Sequence, residues 1–287
     1  MEITVGAKDF TEQRILSRIA VESLEAAGAR VEEETEIGGT EQNRQAPVSG
    51  AIGGYWEYTG MGWIVHLGNK TGIPEARRQY EQVAERDQQE NEIKWLAPAP
   101  ANNTYAIAVR EEAAEDLGVK TLSDFAQLIR ERPDEASICV ASEFATRPDG
   151  LPALERAYGV EFPDQGIKVL EDEGLVYRAV DSGTGCNFGS VFMTDGRIPA
   201  YELTIVKDDE NVLPVYNPCF TLSLELAEEY PQVEDLFAPI AERLDNATLQ
   251  RLSAAVDVDK KPPEEVARQF LQEEGCLSDE QLNTGRG

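Results

Sequence analysis

Positive charge is scarce in this chain. Lys and Arg number 26 against 54 Asp and Glu, for a formal net charge of −28, and only 8 of the basic residues are lysines. A surface of that sign repels phosphate backbones and anionic lipid, which argues against nucleic acid or acidic membranes as partners. The acids lie in short runs such as Glu32-Glu33-Glu34, Glu228-Glu229 and Glu273-Glu274, and each run reads as a solvated face. Such a surface suits a salty medium. At molar salt the screening length falls to about 3 Å, so self-repulsion fades while solubility remains. A halophilic source is expected on this ground, with loss of folding in low-salt buffer as its mark.

Histidine is nearly absent. His66 is the only one, inside the apolar stretch Trp63-Ile64-Val65-His66-Leu67, and it reads as a packing residue and not as a base. There is no G-x-S-x-G, no P-loop and no H-E-x-x-H, and Gly183-Thr184-Gly185-Cys186-Asn187-Phe188-Gly189 has its third glycine out of register for a nucleotide loop. No enzyme, metal or cofactor is expected. The four cysteines Cys139, Cys186, Cys219 and Cys276 contain no C-x-x-C pair, which disfavours zinc binding and thioredoxin-type chemistry. Cys139, in an apolar run, and Cys219, after Pro218, read as buried free thiols. One disulfide outside the cytosol stays open, with no pairing selected. Long apolar runs are missing too, and nothing approaches the ~20 residues of a membrane-spanning helix. Met1 leads straight into the strand-like Glu2-Ile3-Thr4-Val5-Gly6, so the expectation is a cytosolic protein or one whose leader has been removed.

With 287 residues and 41% hydrophobic content, the chain is long enough for two lobes. Ile15, Leu16, Ile19, Ala20, Leu24 and Ala27 recur at helical spacing from Thr11, with Gly28 as the stop. Val31, Glu33, Thr35 and Ile37 alternate as a half-buried strand, and Gly38-Gly39-Thr40 turns into another helix. Strand and helix patterns then alternate through Tyr105–Val109, Leu122–Arg130, Ser137–Val140, Leu151–Tyr158, Ile167–Leu170, Leu175–Val180 and Phe188–Phe192. The alternation predicts α/β lobes with mostly parallel sheets, whose ligands sit beyond the carboxyl ends of the strands. Proline-rich segments at Ala97–Tyr105 and Leu213–Pro218 read as crossings between the lobes. They divide the chain into 1–104 with 213–287, and 105–212.

Two stretches read as shaped loops: Glu57-Tyr58-Thr59-Gly60, and Glu143-Phe144-Ala145-Thr146-Arg147-Pro148-Asp149-Gly150-Leu151-Pro152. Tyrosine faces attract a cation and a guanidinium grips a carboxylate, so these groups suit a small molecule that is cationic at one end and anionic at the other. Taken singly, each tyrosine reads equally well as a buried structural ring, and Arg147 as an internal partner of Asp149. Asp195 and Arg197 read as fixing a turn, and Trp56 and Trp63 as packing.

Several strings occur in order: Val5-Gly6-Ala7-Lys8-Asp9-Phe10-Thr11-Glu12-Gln13, Gly38-Gly39-Thr40, Glu57-Tyr58-Thr59-Gly60, Phe144 to Pro152, Thr194-Asp195-Gly196-Arg197, and Val256-Asp257-Val258-Asp259 with Pro263-Glu264-Glu265-Val266-Ala267. Over nearly the whole chain they resemble the substrate-binding proteins of osmoprotectant ABC importers, the glycine betaine, choline and carnitine group. The resemblance implies an α/β, two-lobed, periplasmic-binding-protein-like fold with two hinge crossings and a ligand cleft between the lobes. It implies an aromatic cage for a quaternary-ammonium osmolyte, with Tyr58, Tyr105 and Tyr216 as cage aromatics. Phe192 stands where relatives often carry another tyrosine. Arg147 corresponds to the arginine that holds the ligand carboxylate, and Lys8 to a lysine near the same end. It further implies a monomer without cofactors that delivers its ligand to an ABC permease in the membrane. That places it outside the cytoplasm, anchored at the cell surface with its leader removed. Met61 stands where relatives carry threonine, Phe192 lacks a phenol, and Gly53-Gly54 replaces an aspartate-bearing stretch. These departures make choline, a bulkier betaine or a different small solute the alternative ligand. A receptor feeding a chemotaxis or signalling transducer, and an enzyme on the same scaffold, are the alternative outputs.

Overall fold

The computed structural model describes the chain apart from Glu36, Gly38, Gly39, Pro148, Asp172, Asp279, Glu280 and residues 283–287. The turn expected at Gly38-Gly39 and the proline of the Arg147 loop therefore lie outside the described residues. The chain forms two compact units, Met1–Asn102 with Val215–Gly287, and Asn103–Pro214.

Unit 1 holds a five-stranded sheet in the order β2-β1-β3-β10-β4, with β1 at Glu2–Gly6, β2 at Arg30–Glu34, β3 at Gly54–Tyr58, β4 at Ile93–Pro98 and β10 at Pro218–Ser223. Unit 2 holds β7-β6-β8-β5-β9, with β5 at Tyr105–Arg110, β6 at Ile138–Ala141, β7 at Ile167–Leu170, β8 at Phe188–Phe192 and β9 at Leu203–Val206. The sheets are mixed, which corrects the expectation of mostly parallel ones. β1 runs parallel to β2 and β3, and β6 parallel to β7 and β8. β10 and β5, the strands that follow the two crossings, run against both of their neighbours. A right-handed helical crossover returns a strand parallel to the one before it. A strand reached by a crossing carries no such constraint.

The first helix spans Thr11–Ala26, and Gly28 at φ +86° turns the chain out of it into β2. Its apolar stripe, Ile15, Leu16 and Ile19, is sealed in a core with Trp56 and Phe220 of the sheet and with Phe237 and Phe270 of later helices. Full burial of such side chains contributes about 1.5–3 kcal/mol each. β2 is an edge strand paired with β1 alone, and Val31 is its one residue packed on the core. Of the half-buried alternation expected there, Val31, Thr35 and Ile37 are half-buried as read, but Glu33 is exposed and the strand ends at Glu34, so β2 itself is an acidic edge, a device that also discourages strand addition.

In unit 2 the period-two alternation of β5 divides two cores. Ile107 and Val109 face Phe125, Val140 and Phe188. Ala106 and Ala108 face Val176, Tyr177 and Val180. Cys139 is disulfide-bonded to Cys186, with the Cα atoms 5.6 Å apart. This overturns the free-thiol reading of Cys139. β6 and β8 are sheet neighbours, and Cys186 lies in the turn entering β8, a juxtaposition that a separation of 47 residues conceals in the sequence. Cys219 is free and fully buried, and burial pushes its thiol pKa well up.

Candidate ligand-binding groups

In unit 1 the groups converge on the end of β3. All five residues of this strand are buried because it lies between β1 and β10 with cover on both faces. Trp56 enters the main core, while Tyr55 and Glu57 point to the other side. Glu57 is completely buried. Its carboxylate is ion-paired with Lys8 Nζ, accepts from the Tyr55 hydroxyl at 2.9 Å and the Tyr58 backbone N–H at 2.8 Å, and lies 2.8 Å from His66 Nε2. Burial by itself pushes this carboxyl up. The Lys8 charge and the His66 hydrogen bond override it and hold Glu57 far below the usual carboxylate range.

His66 ends a wide π-type turn over Gly62–His66, a distortion frequent at functional sites. Its side chain is 3% exposed and bound to Glu57, so it is a polar partner of a buried charge and not merely packing.

Lys8 follows β1 directly and is buried, its ammonium 5.3 Å from the centroid of the Tyr58 ring. The Tyr58 hydroxyl donates to Glu12 Oε1 at 2.6 Å and accepts from Gln13 Nε2 at 3.1 Å. Phe10, 40% exposed, stacks on the same ring at 6.3 Å. Tyr216 is buried against Gly60, where an added Cβ would come within 2.9 Å of its ring and 2.5 Å of the Val215 carbonyl. The Thr59 hydroxyl accepts from Gln79 Nε2 at 3.2 Å and from the Asn217 N–H at 3.1 Å. The Glu-Tyr-Thr-Gly string is thus a buried charge, an oriented ring, a clamp on the returning chain and a gap for the second tyrosine. Met61 closes the short helical turn Thr59–Met61, half-buried. Gly53 and Gly54 admit no side chain: a Cβ would lie 2.4 Å from Ile3 Cγ1 and 2.7 Å from the Thr221 carbonyl, respectively.

In unit 2, Tyr105 opens β5 directly opposite Phe192, the last residue of β8. Their rings stack at 4.8 Å, Phe144 adds a tilted ring at 4.9 Å, and the Arg147 guanidinium carbon lies 5.6 Å from the Tyr105 centroid. Burial, with Glu143 nearby, pushes the Tyr105 phenol strongly up, so it stays protonated. Arg147 closes its fork on Asp149, with Nε–Oδ1 at 2.8 Å and Nη2–Oδ2 at 2.7 Å, and Nη1 reaches Glu143 at 3.0 Å. The Tyr177 hydroxyl accepts the Phe192 N–H at 3.0 Å, and Arg197, clamped by Asp195, lies 4.4 Å over the Tyr177 ring. Asp195 and Arg197 therefore fix the turn that carries Phe192.

The sequence-predicted residues fall into one group per unit: Lys8, Tyr58 and Tyr216 in the first, Tyr105, Arg147 and Phe192 in the second. Sequence reasoning missed Phe10, Glu12 and Gln13 as partners of Tyr58, although all three stand in the quoted Lys8-to-Gln13 string. Among the described residues no group of His, Cys, Asp or Glu could hold a metal ion, and no helix is long and apolar enough to cross a membrane.

The family model described as the substrate-binding domain of an ABC-type glycine betaine transport system matches residues 1–273. A glycine-betaine-binding protein of Pseudomonas aeruginosa is 38% identical over 99% of this chain and 91% of its own length. The glycine betaine-binding protein YehZ of Escherichia coli is 33% identical over 95% of this chain and 90% of its own. The solved structure of apo YehZ superposes with a TM-score of 0.82 at 32% identity, covering 96% of this chain and 99% of that one.

Proposed function

Because the chain belongs to the family of substrate-binding domains of ABC-type glycine betaine transport systems, we propose that it captures a quaternary-ammonium osmolyte outside the cytoplasm and delivers it to a membrane permease. Membership makes it a substrate-binding protein and not an enzyme. The observation that carries the ligand reading is the clustering of aromatic rings with Lys8 and Arg147, one cluster on each unit. A quaternary ammonium has no N–H to donate, so shape, dispersion and cation–π attraction recognise it, each desolvated face contributing up to about 2 kcal/mol. In this reading Tyr58 and Tyr216 of unit 1 and Tyr105 and Phe192 of unit 2 contact the cation. Arg147 receives a carboxylate, Lys8 lies near the same end, and Met61 lines the wall. The crossings at Asn102–Asn103 and Pro214–Val215 act as the hinge through which ligand shifts the open and closed populations.

One observation favours a second ligand class. Asp149 already fills the Arg147 fork, so a ligand carboxylate has to compete with it, and choline does not. The Cys139–Cys186 disulfide supports an oxidising, extracytoplasmic setting. A monomer anchored at the cell surface, working in high salt, completes the proposal.

Calorimetric titration in molar salt with glycine betaine, choline, carnitine and proline betaine tests it. Micromolar or tighter binding of one of them supports the reading, and the preferred compound decides whether the carboxylate subsite operates. Silence from all four, with a cooperative melt proving the protein folded, overturns it.

A further inference from the structure

Tyr58 is tied down more thoroughly than a ring that merely packs. Its backbone N–H is held by Glu57 at 2.8 Å, and its hydroxyl donates to Glu12 Oε1 at 2.6 Å while accepting from Gln13 Nε2 at 3.1 Å. Gln13 Oε1 in turn accepts the Lys8 N–H at 3.4 Å, closing a loop around the ring. Glu12 is a carboxylate only 5% exposed, and burying it demands a reason. It occupies the first turn of the 16-residue helix Thr11–Ala26, at the positive end of the helix dipole. The O–H···O distance of 2.6 Å falls within the range of a charge-assisted bond.

Resting on the reading that Tyr58 contacts the ligand, we propose that Glu12 is a positioning residue that sets cation specificity by polarising the Tyr58 ring. A phenol that donates to a carboxylate carries more electron density on its oxygen and in its ring, so the negative face strengthens. Burial from water enlarges the effect, since neighbouring hydrogen bonds polarise one another more in a low dielectric. A cation over the face gains from this, whereas an uncharged guest of the same shape gains almost nothing. The Lys8 ammonium lies over the ring, 5.3 Å from its centroid, but is ion-paired with Glu57, and that pair carries no net charge to repel a second cation.

The test uses the whole chain and two guests, choline and 3,3-dimethylbutan-1-ol, in which carbon replaces the ammonium nitrogen. Affinities are measured for wild type, Glu12→Gln, Tyr58→Phe and the double variant, each checked for a cooperative melt. Glutamine keeps an acceptor for the phenol and removes the charge. Glu12→Gln is expected to lose about 3- to 10-fold in choline affinity and to hold the neutral guest within about twofold. In the Tyr58→Phe background the same change is expected to cost nothing further, because the route through the phenol is gone. Equal losses for both guests, no loss at all, or an undiminished loss in the Tyr58→Phe background overturns the proposal. The last of these would assign Glu12 a plain through-space attraction. A wild type that binds no quaternary ammonium overturns the ligand reading itself, and this inference with it. A wild type that binds choline, paired with an unaffected Glu12→Gln, removes only the inference.

Discussion

Replacing Glu57 with glutamine keeps the shape of the side chain and strips its charge. The Lys8 ammonium, with 8% of its side chain exposed, then has no counter-charge, and Tyr55 and His66 lose the anion they share. Removing one partner of a buried ion pair costs about 3–5 kcal/mol, because an uncompensated charge stays in a low dielectric. For a folding unit of this size each kcal/mol lowers the midpoint by about 2–4 °C, so a fall of roughly 6–20 °C is expected at neutral pH. Circular dichroism melts measure it. Adding Lys8→Met removes the orphaned ammonium and is expected to recover at least about half of the loss, since apolar replacement of a whole buried pair is often neutral. Acid titration supplies a second reading. The folded chain holds the Glu57 carboxyl below its ordinary 4.5, so its stabilisation is complete above that pH and is lost as pH falls below it. The wild-type stability curve should therefore drop more steeply below pH 4.5 than the Glu57→Gln curve. A variant that melts within about 2 °C of wild type, or a double variant with no recovery, would refute the charge-hub reasoning.

Three further outcomes are expected. Cys139→Ser with Cys186→Ser opens a loop closed over 47 residues and should cost about 2–4 kcal/mol, read as a lower melting temperature that reductant reproduces in wild type. Gly60→Ala drives a Cβ into the Tyr216 ring and the Val215 carbonyl, so a destabilisation of about 1–3 kcal/mol together with weaker ligand binding is expected. Unchanged melting and titration curves would remove the proposed fit of glycine to tyrosine. Arg147→Ala should cost a betaine about tenfold or more and choline less than about threefold, and equal losses would cancel the carboxylate role.

Much of the fold was legible because each element announces itself locally. Leu151–Tyr158, Ile167–Leu170 and Phe188–Phe192 form the elements that their periodicity predicts. Gly28 stops the first helix for the reason that makes it readable, a positive φ. The errors lie where the outcome depends on a neighbour that sequence does not name. The pattern of Val31 and Glu33 is genuine alternation, but only sheet order makes β2 an edge and leaves it exposed. Strand direction is likewise a property of the connection, and β5 and β10 arrive by crossings that carry no periodic signature.

The site was legible as a set of residue types but not as a set of pairings. Nothing in the order of residues says that Lys8 meets Glu57 across 49 positions, or that the single histidine completes the same cluster. Without the pairing, Lys8 reads as a solvated lysine before a helix or, by the resemblance alone, as a cation near the ligand carboxylate. With it, the lysine is half of a buried neutral pair and its presence near Tyr58 is first of all architectural. Arg147 carries the opposite lesson. Its partner Asp149 is two residues away, so the ion pair could be read directly, and it forms. A guanidinium that is already satisfied is not thereby excluded from binding, since it stays a fixed, oriented fork at small cost in side-chain entropy. The consequence is that affinity for a carboxylate measures an exchange between Asp149 and the ligand and not a bare attraction. Discrimination between betaine and choline then depends on how tightly Asp149 holds the arginine as much as on the arginine itself.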